Sequence, residues 1–237
     1  MVVPVRDVPW WGVLSSAAAP VLLVGGWTVA AALQPGSFDQ VTGTISALAA
    51  HGATDRWLMT LAFLGVGACH VATGLALRPA AAPGRLLLMA AGVATVAVAA
   101  FPVTRGSGHG SLPHTLAAAV AFGSLAAWPV LARRRGPAAA WALRPAAAAG
   151  ATGALLGLLA WFYVELSAGG RQLGLAERAA AGAQALWPLA VVLACRAFGQ
   201  PGMQPLPDLL RRVGPALPLR PDDHHSGGGD TDETGQS

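Results

Sequence analysis

Residues 11–33 read WGVLSSAAAPVLLVGGWTVAAAL, a run without a charged side chain. An α-helix rises about 1.5 Å per residue, so this run is long enough to cross a hydrocarbon core of roughly 30 Å. Five further apolar stretches follow, at residues 57–77, 84–102, 113–132, 141–164 and 176–195. The sequence therefore predicts an all-α, polytopic membrane protein built as a bundle of six transmembrane helices.

The composition supports the same class of protein. Hydrophobic residues make up 54% of the chain and charged residues 11%, whereas a soluble globular domain has roughly 25% charged residues. The run at 11–33 is longer than the apolar core of a signal peptide, about 7 to 15 residues, so we expect it to remain as the first helix. Walker, Rossmann, nucleophile-elbow and HExxH motifs do not occur in the sequence. Nucleotide hydrolysis and zincin chemistry therefore have no sequence support.

All fifteen basic residues are arginines, and they are distributed unevenly between the predicted connections. Eleven fall on one side of the bundle, and Arg56, Arg105, Arg171 and Arg178 fall on the other. Because positive charge is retained on the cytoplasmic side, both termini are expected in the cytoplasm of a multi-pass plasma-membrane protein. The arginines are expected to meet anionic lipid head groups and not nucleic acid. Membrane lipids are thus the expected partners, and the sequence identifies no protein partner.

The predicted domain organisation is a six-helix transmembrane domain over residues 1–198, followed by a tail over residues 199–237. The tail is rich in proline and ends in the acidic sequence HHSGGGDTDETGQS. Such a composition lacks the apolar residues needed for a core, so we expect a disordered cytoplasmic tail.

Polar residues close to the bundle are concentrated on its predicted outer side. In the first outer connection, Val41, Ile45 and Leu48 recur at helical spacing and predict a short helix. Its polar residues either face the mouth of the bundle or lie on lipid head groups. The predicted outward-facing polar pocket has nine candidate residues: Asp39, Ser46, His51, Arg105, His109, His114, Glu165, Glu177 and Arg178.

The chemistry expected of this pocket depends on Arg178 and on two histidines, His109 and His114. A charge just inside a membrane span usually pairs or reaches the interface, so Asp39, Glu165 or Glu177 is an expected partner of Arg178. His109 and His114 are the candidate metal ligands, although a structural role for both is an open alternative.

A metal ion would need further ligands, and Asp39, His51 and Glu165 are the nearest in topology. No other cofactor is predicted. The intramembrane His70 is expected to form a hydrogen bond between helices. It does not suit a haem shared with His114, because it lies roughly 20 Å deeper along its helix.

Several short motifs follow one another in a specific order: Asp39, Ser46 and Leu48; Trp57; Phe101 and Pro102; His109, Gly110 and His114; Glu177 and Arg178. This order, over roughly Val13 to Arg196, resembles the bacterial six-helix membrane proteins known as domain of unknown function 998. The resemblance implies a fold and a membrane location but no activity. Many relatives carry an acidic residue shortly after Phe-Pro, whereas this chain has valine, threonine and arginine at residues 103–105.

Three functions remain open from the sequence. The first is an integral membrane protein that binds or transports a lipid or a small polar solute in the outward-facing pocket. The second is a membrane-embedded, hydrolase-like enzyme that uses the outer histidines and Asp39. The third is a structural or regulatory membrane subunit.

Overall fold

The computed structural model describes residues 7–103 and 110–199, and these residues form seven α-helices and one 3-10 turn. The helices are α1 (Trp10–Ala32), α2 (Ile45–Leu48), α3 (Trp57–Ala76), α4 (Ala82–Ala100), α5 (Leu112–Ala132), α6 (Pro145–Ala168) and α7 (Leu173–Gly199). The 3-10 turn, Trp141–Leu143, precedes α6. Arg105, His109 and the predicted tail after residue 199 lie outside the described residues.

Every α-helix except α2 is long and apolar enough to cross a membrane. These six helices coincide with the six predicted segments, with ends that differ by up to four residues. The prediction of an all-α bundle of six spanning helices is confirmed, and the protein is a multi-pass membrane protein.

The spanning helices form a ring in chain order. Each packs against the next in the sequence, and α1 also packs against α7, which closes the ring. Helix α6 lies at the periphery, because only 11% of its span is buried, against 33–44% in the other five. The interior of the bundle is therefore built mainly by α1, α3, α4, α5 and α7.

Two apolar clusters fill this interior. One surrounds Leu88 and Trp128, near the start of α4 and the end of α5. The other surrounds Leu48, Met59 and Phe63, where α2 meets the start of α3. The polar groups described below lie between these clusters and at the α2 end of the bundle.

Helices α3 and α4 approach each other closely at a pair of glycines. A Cβ on Gly67 would lie 2.6 Å from the carbonyl oxygen of Gly92, and a Cβ on Gly92 would meet the Gly67 carbonyl at a similar distance. Small residues allow membrane helices to pack backbone against backbone in this way. By contrast, a Cβ on Gly153 of the peripheral α6 would have no neighbour within 4 Å. A glycine at this position is therefore not required by any helix contact within the described chain.

Candidate functional site

The first long connection inserts a short helix into one end of the bundle. Thr44 caps α2, because its side chain accepts a hydrogen bond from the Ala47 N–H. Ile45 is 1% exposed and Leu48 is fully buried, and both belong to the apolar cluster at this end. Helix α2 therefore packs into the end of the bundle. The alternative interpretation, that it lies on lipid head groups, does not apply.

Glu177, near the start of α7, holds α2 in this position. Its carboxylate accepts hydrogen bonds from the Ile45 N–H at 2.5 Å and from the Ser46 hydroxyl at 3.3 Å. The side chain is 4% exposed. A buried carboxylate needs such donors, because an unpaired charge in an apolar environment is strongly unfavourable.

Arg178 fixes the same connection through backbone oxygens. One terminal nitrogen, Nη1, donates to the carbonyls of Gln40, Gly43 and Gly174 at 2.8, 2.7 and 3.0 Å. Its guanidinium lies 5.9 Å from the centroid of the Trp27 ring, within the range of a cation–π interaction. Carbonyl oxygens therefore accept its described hydrogen bonds, while Glu177 and Asp39, two of the three expected partners, act on Arg178 through their charge. The remaining nitrogens, Nε and Nη2, are buried without a hydrogen-bond partner among the described residues.

Asp39 is exposed and stabilises a turn in the loop before α2. Its carboxylate accepts from the Val41 N–H at 2.8 Å and from the Thr42 hydroxyl at 2.9 Å. These two bonds favour the ionised form and lower the pKa of Asp39 below its usual value.

Three further candidates are engaged in separate local contacts. His51 is exposed and its Nδ1 lies 3.0 Å from Arg56 Nη1. Glu165 accepts from the Gln172 N–H at 2.9 Å, in the turn between α6 and α7. His114 is buried at the start of α5, and its Nδ1 lies 2.8 Å from the Phe101 carbonyl at the end of α4. None of the three lines the cavity described below.

Within residues 7–103 and 110–199, no group of three or more histidine, cysteine, aspartate or glutamate side chains is arranged to hold a metal ion. Of the two candidate metal ligands, His109 lies outside the described residues. The metal site therefore stays a prediction.

A partly open cavity of about 60 Å³ lies in the helix bundle, and its apolar wall belongs mainly to the second cluster. Every described helix except α6 contributes to its wall. Most of the wall is apolar, and five polar side chains interrupt it: Ser46 on α2, His70 on α3, Thr95 on α4, and Glu177 and Gln184 on α7. A water molecule needs at least about 10–15 Å³ of such volume, so the cavity has room for several water-sized groups.

Two of these polar side chains are incompletely hydrogen-bonded. His70 is 1% exposed, and both of its ring nitrogens lack a partner among the described residues. Gln184 is fully buried; its amide nitrogen donates to the Phe122 carbonyl at 3.1 Å, but its Oε1 has no such partner. The interhelical hydrogen bond expected for His70 is thus absent from the described part of the chain.

The cavity brings together only part of the predicted pocket. Ser46 and Glu177 line it, while His70, Thr95 and Gln184 were not among the nine candidates. A sequence signal existed for Gln184, because it follows Glu177 by seven residues and so lies on the same face of α7, two turns further along.

A sequence model of the family described as Protein of unknown function (DUF998) matches residues 17–194, about three quarters of the chain. The chain belongs to the DUF998 family. The DUF998 match runs from α1 to α7 and includes all five polar residues of the cavity. No curated protein matches the chain, and no solved structure matches it.

The structure gives local roles to several residues of the DUF998 resemblance. Asp39 and Ser46 shape the connection around α2, the first as a turn acceptor and the second as a donor to Glu177. Trp57 begins α3, and the carbonyl of Phe101 lies against the His114 ring. These motif residues thus lie at helix ends or in the connection around α2.

Proposed function

We propose that this DUF998 protein binds a small polar solute in the cavity of its helix bundle. The observation that carries the proposal is the set of three buried atoms without a partner in the cavity-lining side chains: Nδ1 and Nε2 of His70 and Oε1 of Gln184. A buried polar group without a partner costs about 1–3 kcal/mol. A solute that supplies the missing hydrogen bonds would recover this free energy, and polar side chains inside membrane spans commonly mark binding sites or pathways.

The size of the cavity favours a small solute over a lipid. A cavity of about 60 Å³ has room for several water-sized groups. A complete phospholipid is much larger than this. Of the ligands that the sequence leaves open, the small polar solute is therefore the one we propose.

The proposed location is the plasma membrane, with both termini in the cytoplasm. The support is the distribution of arginines, eleven on one side and four on the other. Maleimide labelling of single cysteines introduced at Arg134 and at Asp39, in intact cells, tests this topology. Labelling of the Asp39 position alone is expected. Labelling of the Arg134 position alone would show that the protein has the opposite orientation in the membrane.

The test of the proposed function is a substitution that fills the cavity. Ala121 on α5 lines the cavity and is 6% exposed, whereas Ala119 on the same helix is exposed. Ala121→Leu places a larger apolar side chain in the cavity, and Ala119→Leu is the matched control on the outer surface. Equilibrium binding to protein in lipid nanodiscs is measured with four small probes of equal heavy-atom number: ethylene glycol, acetamide, acetate and ethanolammonium.

At least one probe should bind saturably to the wild type and to Ala119→Leu, and bind weakly or not at all to Ala121→Leu. Absence of binding by all four probes would contradict the proposal. Equal binding by all three proteins would also contradict it, because the solute would then lie outside the cavity.

The hydrolase-like function is the weaker candidate. Asp39, His51 and His114 hydrogen-bond to different partners and do not line the cavity. Arg105 and His109 lie outside the described residues. One shared cavity supports solute binding. No contact among the described residues supports a catalytic cluster of Asp39, His51 and His114.

A further inference from the structure

We infer that the solute bound in the cavity is a small cation that donates hydrogen bonds, of the primary ammonium class. This assignment rests on the proposed function and adds the chemical class of the ligand. It follows from the kinds of hydrogen-bonding group that the cavity wall leaves unused.

Unused acceptors predominate among the described side chains of the wall. Gln184 Oε1 has no partner. The hydroxyl hydrogens of Ser46 and Thr95 are already donated, to Glu177 and to the Ala91 carbonyl. Their oxygens retain free lone pairs, since a hydroxyl has one donor and two acceptor sites.

Glu177 adds further acceptor capacity. An ionised carboxylate has about four lone-pair sites, and the bonds from the Ile45 N–H, the Ser46 hydroxyl and the Ser46 backbone N–H use up to three of them. The carboxylate thus keeps some unused acceptor capacity while its side chain lines the cavity.

Unused donors are scarce in the same wall. The amide nitrogen of Gln184 donates to the Phe122 carbonyl. A neutral imidazole supplies one donor and one acceptor, so His70 contributes a single N–H. An ammonium group, with three donors and no acceptor, complements this wall; an anion or a group rich in acceptors does not.

The charge distribution favours a cation as well. Glu177 lines the cavity, whereas its neighbour Arg178 is not part of the wall and donates to carbonyls of the first connection. The field of Arg178 reaches Glu177 and offsets part of its charge, but the carboxylate is the charged group that the cavity presents. Two aromatic rings, Phe63 and Phe122, also line the wall, and aromatic faces attract ammonium groups.

Competition among the four nanodisc probes named above tests the charge of the ligand. Ethanolammonium is the cation, ethylene glycol and acetamide are neutral, and acetate is the anion. Ethanolammonium should bind the wild type more tightly than each of the other three by about tenfold or more, which corresponds to about 1.4 kcal/mol.

Glu177→Gln keeps the shape of the side chain and removes its charge. This variant should weaken ethanolammonium binding by about tenfold or more, while acetamide binding changes little. Asp55→Asn is the matched control, because Asp55 is an exposed carboxylate at the same end of the bundle that does not line the cavity. It should leave ethanolammonium binding unchanged.

The possible outcomes separate the two proposals. Tightest binding of ethanolammonium, weakened by Glu177→Gln, supports the ammonium class. Preference of the wild type for a neutral probe or for acetate, with that binding lost in Ala121→Leu, overturns the ammonium class while solute binding in the cavity stands. No binding of any probe overturns both. The order of affinities in the wild type decides the question even if Glu177→Gln does not fold.

Discussion

Replacing His70 by leucine should stabilise the solute-free protein and at the same time weaken solute binding. His70 lies in the middle of α3, is 1% exposed, and has no hydrogen-bond partner for either ring nitrogen among the described residues. Leucine is apolar and of similar size. The substitution therefore removes an unpaired polar group and breaks no hydrogen bond of the described chain.

The magnitude follows from the cost of a buried polar group without a partner, about 1–3 kcal/mol. The free energy of unfolding of His70→Leu should exceed that of the wild type by roughly this amount. Water in the cavity that hydrogen-bonds to the imidazole would move the gain toward the lower end of the range.

Thr73, three residues further along α3, provides the matched control. Thr73 is also fully buried, but its hydroxyl lies 2.9 Å from the Ser15 hydroxyl on α1. Thr73→Val removes a satisfied hydrogen bond, and such bonds between membrane helices contribute about 0.6 kcal/mol on average and up to about 1.7. The two substitutions on one helix should therefore change stability in opposite directions.

The assay is reversible unfolding in mixed detergent micelles, followed by far-UV circular dichroism, with solute removed. Stabilisation by His70→Leu and destabilisation by Thr73→Val is the expected pair of results. A loss of stability in His70→Leu as large as that in Thr73→Val would refute the reasoning, because it would mean that the imidazole is hydrogen-bonded within the folded protein.

Other substitutions test the packing and the connection around α2. Gly67→Ala should lower the free energy of unfolding by about 1–3 kcal/mol in the same assay, because its Cβ would press on a backbone carbonyl of α4. Gly153→Ala should leave it unchanged or raise it by up to about 1 kcal/mol, and a loss as large as that of Gly67→Ala would contradict the assigned packing. Arg178→Met should expose residues 40–43 to faster amide exchange, because charge-assisted bonds worth about 1.5–3 kcal/mol each are lost; unchanged exchange there would show that other contacts hold the loop. The depressed pKa of Asp39 means that its carboxylate stabilises the turn fully above about pH 4 and loses this effect as the pH falls through the folded-state pKa. Thr42→Val should raise that pKa in a carboxyl NMR titration, and no change would exclude the hydroxyl as a cause.

The spanning helices could be predicted because each one is a long run of apolar residues, and length and hydropathy are local properties of the sequence. Their ends were less predictable. The predicted fifth segment began at Trp141, whereas α6 begins at Pro145 after a separate 3-10 turn. A residue before proline is disfavoured in helical conformation, and proline suits the first turn of a helix, so Arg144 stays extended and α6 starts after it.

The polar cavity was predictable only in part. Ser46 was recognised as a polar residue of the first outer connection, and Glu177 as an acidic residue at the start of the sixth predicted segment. His70, Thr95 and Gln184 lie on three different helices, and their convergence depends on the rotation of each helix and on its choice of neighbours. Neither property can be read from local periodicity. The missing hydrogen bonds of His70 and Gln184 likewise become visible only when the surrounding helices are in place.

The most direct test of solute binding in the cavity is the ¹⁵N NMR signal of the His70 ring, assigned by its loss in His70→Leu, during titration with ethanolammonium. His70 lines the cavity, and its ring nitrogens have no partner in the described chain, so an ammonium group bound beside the ring should shift their resonances saturably. The same titration of Ala121→Leu should produce no shift. A His70 resonance that does not move in the wild type, while ethanolammonium binds elsewhere on the protein, would contradict the assignment of the cavity as the binding site.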